Sequence, residues 1–355
     1  MNRVGNLLSF GTSLLFLVTG CDRSGSSPEA AGNIGTAERE AAAKLKVCKD
    51  PVWDEVAAYR NNVRMAYNSS LFDKLEKFAA EAREGRERFG NGVWRITHFH
   101  EALACRDDEP ESMWELHDRI HKAWIAAKPE SITARVAHAD FLTEYAWHAR
   151  GSGFANEVTD KGWHSFKVRL EKSRKMLEKA RELPAKDPVW WKVAMRVALG
   201  QGWEKKDFDA LVADAIAFEP KYFEYDKLRA YSLLPRWYGK EGDWEAYAEE
   251  AAARKDGLGA ETYARIVMDL RGFHDNVFLE TKASWPRTKE GLKLMLERYP
   301  DSLEIRNVIP MMAVLAQDRE FAKEAFDRLD GSYLPYMWRK PERYVRYRQW
   351  AETGE

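Results

Sequence analysis

The side chains in this 355-residue chain that could carry chemistry are few, and histidine comes first: there are eight. His117 and His121 stand four apart, with Trp114 and Trp124 three residues outside them, so all four lie along one flank of a helix. A histidine pair at this spacing can share one metal ion, and Glu115 and Asp118 are close in sequence. The zinc-protease pattern needs Glu directly after the first histidine. Asp118 occupies that place, and nothing in the sequence marks a third ligand. His98 and His100 are two apart and point to different faces of a helix. The competing reading, histidine packed among tryptophans, is therefore the expectation, and no metal is expected.

Other catalytic patterns are weaker still. Arg150-Gly151-Ser152-Gly153 resembles a phosphate-cradling loop only superficially, because it follows a helix and lacks both G-x-G-x-x-G and the P-loop Lys. It reads as a helix end, with Arg in the last turn and Gly as the cap. No serine or cysteine sits in a nucleophile elbow. The 57 acids fall on helices, where paired carboxylates are the ordinary solvated face. A non-enzymatic protein without a cofactor is the expectation.

Aromatics are more telling, with 14 Trp and 14 Tyr in the chain. Trp190, Trp191, Trp203 and Trp244 are expected to wedge between helices. Trp237 and Tyr238 beside Arg236 are the best candidates for a groove that binds a peptide or a sugar, with core packing as the competing role. Segment 333–350 mixes Tyr333, Tyr336, Trp338, Tyr344, Tyr347 and Trp350 with Arg339, Lys340, Arg343, Arg346 and Arg348, against Glu342 alone. It reads as a capping helix, with contact to anionic headgroups or a partner as the alternative. Trp338, Arg339 and Arg343 are its candidate binding residues.

The cysteines place the protein. Arg3 precedes an apolar run of Leu7, Leu8, Phe10, Leu14, Leu15, Phe16, Leu17 and Val18, which ends in Val18-Thr19-Gly20-Cys21. That run has signal-peptide length, and small residues before a cysteine resemble the bacterial lipobox. Residues 1–20 are thus expected to be removed and Cys21 to carry diacylglyceryl and acyl chains, a firmer hold than one chain provides. Asp22 resembles an inner-membrane retention signal, so a periplasm-facing anchor in the bacterial cell envelope is expected. Residues 22–40 lack a sustained apolar face, and 21–47 read as a flexible tether. Cys48 and Cys105 are left as a candidate disulfide in an oxidising compartment, or as two separate buried thiols.

These features must be positioned by helices. Apolar residues recur every three or four positions through 70–83, 131–149, 163–183, 188–199, 207–218, 243–254, 260–270, 288–299, 302–316 and 319–329, with Ser70 placed as an N-cap. No sustained alternation marks a sheet. Lys49-Asp50-Pro51-Val52-Trp53 recurs as Lys186-Asp187-Pro188-Val189-Trp190, a helix start with Asp as N-cap and Pro at the first turn. The reading is all-α: stacked antiparallel helical hairpins in a TPR-like α-solenoid over 48–355, one continuous unit. With 56 basic and 57 acidic residues there is no electrostatic footprint for nucleic acid, and no apolar run of 18 residues allows a multi-span membrane protein.

Three blocks also resemble a bacterial family, domain of unknown function 4034. One runs from Arg86 and Phe89 through Gly92, Trp94, Phe99 and Leu103. The second runs from Pro129, Ser131, Ala134 and Arg135 through Tyr145-Ala146-Trp147-His148-Ala149-Arg150-Gly151-Ser152-Gly153 to Val158, Gly162, Trp163 and Phe166. The third is Leu233-Leu234-Pro235-Arg236-Trp237-Tyr238-Gly239 with Gly242-Asp243-Trp244. Together they cover about 70–270. The resemblance implies a helical, TPR-like domain and brings no activity and no catalytic residues. The functional expectation is a membrane-anchored envelope lipoprotein whose helices bind a protein or peptide partner. The alternative is an envelope hydrolase or glycan-binding helper acting on cell-wall material.

Overall fold

The computed structural model describes residues 35–151 and 156–354. Cys21, Asp22, the signal peptide and most of the tether lie outside the described residues, as do Ser152 and Gly153. The described part of the chain is all-α apart from two very short strands. It begins with α1 (Thr36–Ala42), β1 (Lys46–Val47), α2 (Pro51–Asn68), α3 (Phe72–Gly85), α4 (Arg95–Ala102) and α5 (Glu111–Ala127). There follow α6 (Ile132–Arg150), α7 (Asp160–Arg181), α8 (Pro188–Gln201), α9 (Lys205–Phe218), α10 (Glu224–Ser232), α11 (Asp243–Ala253) and α12 (Ala260–Leu270). The chain then forms α13 (Val277–Glu280), α14 (Trp285–Arg298), α15 (Leu303–Leu315), α16 (Arg319–Leu329), β2 (Ser332–Tyr333), α17 (Pro335–Trp338) and α18 (Pro341–Thr353). No described helix is long and apolar enough to cross a membrane.

The helix starts follow from capping chemistry. Asp187 Oδ1 accepts from the Val189 amide at 2.9 Å, and Asp50 Oδ1 accepts from the Val52 and Trp53 amides at 3.0 and 3.3 Å. The repeated Lys-Asp-Pro-Val-Trp is therefore the same device used twice. Ser131, Ser302 and Asp318 cap α6, α15 and α16 through the amides three residues on. Ser70 does not cap α3. It adopts a left-handed φ of 52°, and Leu71 takes the N-cap position with no side-chain bond. Gly151 ends α6 at φ 73°, a conformation that glycine adopts without steric cost.

The described residues fall into two compact units. The first comprises Val56–Phe89 and Val93–Tyr238; the second comprises residues 35–55, Gly90–Gly92 and 239–354. One division falls after Tyr238, in the turn that follows α10, and the others fall inside α2 after Glu55 and on either side of Gly90–Gly92. Within unit 1, α6 packs between α5 and α7, α8 packs against α6, α7, α9 and α10, and α3 packs on α4. Its core holds Trp114, Trp124, Phe99, Phe208, Tyr222 and Tyr225, and Trp190 and Trp191 are buried as expected.

In unit 2, α12 packs on α11 and α14, α15 on α16, and α18 on α1, α15 and α16. Gly291 permits the α12–α14 approach: a Cβ there would lie 2.1 Å from the Ala260 carbonyl oxygen. Trp244 is buried here, while Trp203 of unit 1 is only half-buried. The tether reading is corrected at its far end. Residues 36–42 are helical, and Lys46–Val47 pairs in parallel with Ser332–Tyr333. Backbone bonds from Lys46 to Gly331 and from Cys48 to Tyr333 fasten this strap to unit 2.

Candidate functional site

Unit 1 contains a cleft of about 320 Å³, lined by Arg83, Glu84, Arg86, Trp94, Ala185, Lys186, Pro188, Phe218 and Glu219. Its floor is apolar and its rim is charged. Trp94 is the N-cap residue of α4, Pro188 opens α8, and Phe218 closes α9, so three helix termini supply the floor. Phe218 is fixed by stacking on Trp191 at 4.1 Å, and the Trp191 indole donates to Asp214 at 2.9 Å. The Arg88 guanidinium stands 5.1 Å from the Trp94 ring.

The rim is held under local strain. Arg86 sits past the end of α3 at φ 50°, a left-handed conformation unfavourable to a residue with a Cβ, and its guanidinium pairs with Glu219 at 3.2 Å. Arg83 donates to Thr133 Oγ1 at 2.8 Å, and Thr133 donates to Asp187 Oδ2 at 3.2 Å. His100 Nε2 stands 3.6 Å from the same Asp187 oxygen. Burial would raise the Asp187 carboxyl, but His100 and the Val189 amide outweigh it and hold it below the usual range. The cleft thus rests on a buried anion that also starts α8.

Buried and half-buried ionisable residues contributed by α2, α4, α6, α8 and α10 form a second feature of unit 1. Arg196 donates through one nitrogen to Asp140 at 3.0 Å and to Glu144 at 2.8 Å. Burial, reinforced by Asp140, pushes Glu144 up to about 8 against the pull of Arg196. Glu101 goes the other way: burial opposes its charge, yet His98 at 2.7 Å, with Arg60 and Lys192, holds it down to about 2. Glu224, facing Lys227 at 3.2 Å and Lys192 at 3.9 Å, is also lowered despite its burial. Unit 1 therefore holds one carboxyl raised by burial and others lowered by the cations beside them. That separation is what acid–base chemistry requires.

The histidine flank is a core feature. His121 is fully buried, and neither ring nitrogen has a hydrogen-bond partner. Its ring lies 5.1 Å from Tyr67, 5.1 Å from Phe141 and 5.5 Å from His138. Burial, with the neighbouring His138, His117 and His100, drives it well below its ordinary pKa. His117 is lowered by burial too. His138 faces Asp118 at 2.8 Å. Among the described residues no three His, Cys, Asp or Glu side chains are grouped so as to hold a metal ion.

The remaining sequence candidates are scattered. Cys48 and Cys105 are both free thiols in the structure: Cys48 is half-buried in unit 2, and Cys105 lies in the core of unit 1 beside Trp114, Phe141 and Tyr145. Burial pushes the Cys105 thiol up to about 11, which suits an inert core residue. Trp338 is corrected from surface to core: it is wholly buried and donates to Asn307 at 2.8 Å. Arg339 is exposed, and Arg343 is half-buried against Tyr347, with its guanidinium 5.3 Å from the ring. Arg236, Trp237 and Tyr238 are half-buried in unit 1. Trp237 meets Trp147 edge-on at 6.0 Å, Arg236 covers Tyr231 at 5.2 Å, and Tyr238 packs on Phe208.

Sequence reasoning missed both the cleft and the charged residues of the inner helices. Their partners are far apart along the chain, as with Arg86 and Glu219 or Arg196 and Asp140. One signal pointed there, the Asp187-Pro188 helix start. No curated protein matches the chain. The family match ends at residue 197, so the third resembling block, at 233–244, lies beyond it, and the matched core is shorter than the 70–270 expected. Residues 68–197, from the end of α2 into α8, match the family model of DUF4034, a domain of unknown function.

Proposed function

We propose that this chain is a membrane-anchored envelope lipoprotein, held by lipid on Cys21, whose TPR-like helical hairpins bind a protein or peptide partner without catalysing a reaction. The observation that supports this is the unit 1 cleft: an apolar floor of Trp94, Pro188 and Phe218 beneath a rim of Arg83, Arg86 and Lys186 with Glu84 and Glu219, one cation in excess. A cleft of this size takes one or two side chains of an extended segment, and the cations favour an acidic residue or a terminal carboxylate beside an apolar one. The inner-membrane, periplasm-facing location is part of this reading and rests on Asp22.

Crosslinking in cells from a photoreactive residue placed at Lys186, followed by identification of the products, tests it. A discrete protein product that disappears with Phe218→Ala is expected. Recovery of lipid and wall glycan alone would sink the proposal.

The second reading, an envelope hydrolase or glycan-binding helper, draws on Glu144. A buried carboxyl that keeps its proton to about pH 8 is suited to general acid catalysis. Incubation with cell-wall glycan separates the two: turnover that Glu144→Gln abolishes while Phe218→Ala spares it favours the hydrolase.

A further inference from the structure

We propose that the end of unit 2 formed by α1, β1 and α18 is a docking surface for an anionic phospholipid bilayer; this rests on the lipid anchor proposed at Cys21. The strap and the C-terminal helix share this end. Strand β1 pairs with β2 just ahead of α17 and α18, α1 packs on α18, and Arg346 faces Glu38 at 3.8 Å.

The surface is cationic. Residues 35–50 and 331–353 contain nine Lys and Arg and five carboxylates. Two pairs cancel within the surface, Glu38 with Arg346 and Glu352 with Arg348 at 3.0 Å, which leaves seven cations against three carboxylates, of which Asp50 is turned to the start of α2 and the Tyr336 hydroxyl. Lys44, Lys46, Lys49, Arg339 and Lys340 are exposed, and Val47 among them is 68% exposed. The aromatic residues that made 333–350 look like a binding segment are mostly turned inward, since Tyr333, Trp338, Tyr344 and Tyr347 are buried. The segment is therefore packed on its inner side, with Arg343, Arg346 and Arg348 half-buried, and its exposed cations, Arg339 and Lys340, stand just before α18.

Chain length supplies the occupant. Thirteen residues separate Cys21 from residue 35. Thirteen residues span at most about 45 Å, and roughly 20 Å root-mean-square if flexible. An acylated Cys21 thus keeps the start of the strap, and the cations fastened beside it, near the headgroups. Apposed cations are attracted to an anionic leaflet and lose that attraction in salt.

The test uses the full lipidated protein on vesicles of phosphatidylcholine alone or with about one-third phosphatidylglycerol. Lysine reactivity toward an amine-acylating reagent is read by mass spectrometry, with the exposed Lys206 as internal control. At low salt, Lys44, Lys46, Lys49 and Lys340 are expected to react at least roughly fivefold more slowly on the anionic vesicles, the factor that about one cation's attraction supplies. Lys206 should not change, and 0.5 M salt should remove the protection. Lys44→Glu with Lys46→Glu should lift it at Lys340. Protein that is acylated at Cys21, floats with both vesicles and reacts equally on both overturns the docking surface alone. Protein without acyl mass at Cys21 that floats with neither overturns the anchor, and the docking proposal with it.

Discussion

Arg196 donates to Glu144 at 2.8 Å through the same nitrogen that reaches Asp140, so one cation serves two half-buried carboxylates. Burial, with the Asp140 charge and against the pull of Arg196, pushes Glu144 up to about 8, whereas in the unfolded chain it ionises near its ordinary value of 4.5. A raised carboxyl favours the folded state fully below 4.5, and that contribution fades as pH rises through about 8. Glu144→Gln keeps a neutral side chain at every pH. Thermal melts should show the variant gaining on the parent between pH 5 and pH 8, by roughly 2–4 °C for each kcal/mol relieved. Parallel melting curves across that range would refute the shared-cation account.

His121 predicts the opposite dependence on pH. Its ring is buried, lacks hydrogen-bond partners and is held well below its ordinary pKa. As pH falls through about 6.5 the unfolded chain takes up a proton that the folded ring refuses, so stability drops on the acid side. His121→Phe fills similar space without polar atoms. It should match or exceed the parent at pH 7 and lose less stability between pH 6.5 and 5, as measured by urea denaturation. An equal acid loss in parent and variant would count against this.

Asp187 joins capping to the floor of the cleft. Asp187→Ala removes the α8 cap and leaves Thr133 and His100 facing a void, so it should cost about 2–4 kcal/mol in chemical denaturation. Asp187→Asn keeps an acceptor for the Val189 amide and should recover about half of that loss. Equal losses in the two variants would show that the cap is not what matters.

Gly291 tests how closely helices approach in unit 2. A Cβ 2.1 Å from the Ala260 carbonyl oxygen cannot be accommodated without moving α14 from α12. Gly291→Ala should destabilise by about 1–3 kcal/mol despite its higher helix propensity. Gly202→Ala, with open space around it and an ordinary left-handed φ of 67°, should cost less. A neutral Gly291→Ala would mean the helices do not pack as closely as described.

In the cleft, Trp94→Ala and Phe218→Ala should each weaken partner binding at least tenfold, while Arg86→Ala should weaken it less and mainly at low salt. Fluorescence polarisation with the crosslinked peptide reads both effects. Unchanged affinity in both aromatic variants would place the binding elsewhere.

The sequence by itself determined the helices. Each of the ten periodic segments is a helix, with ends within a few residues of expectation, because the apolar spacing, the Asp-Pro starts and the serine caps act within one or two turns. The failure at Ser70 has the same scale: the chain turns left-handed at that residue, so its hydroxyl never faces the first turn. Tertiary structure decided everything that depends on distant residues meeting. The Tyr336 hydroxyl donates to Asp50 at 3.0 Å from 286 residues away, and the Lys46–Val47 strand exists only because Ser332–Tyr333 lies beside it. Trp338 reads as surface in a basic segment until α15 buries it against Asn307. The same holds for Glu144: its neighbours in sequence are an ordinary helix, and its unusual charge state comes from packing beside Arg196 of another helix. Periodicity and capping are local hydrogen-bond and burial patterns, so they are written in adjacent residues. Burial of a particular charge depends on which helix covers it, and only packing decides that.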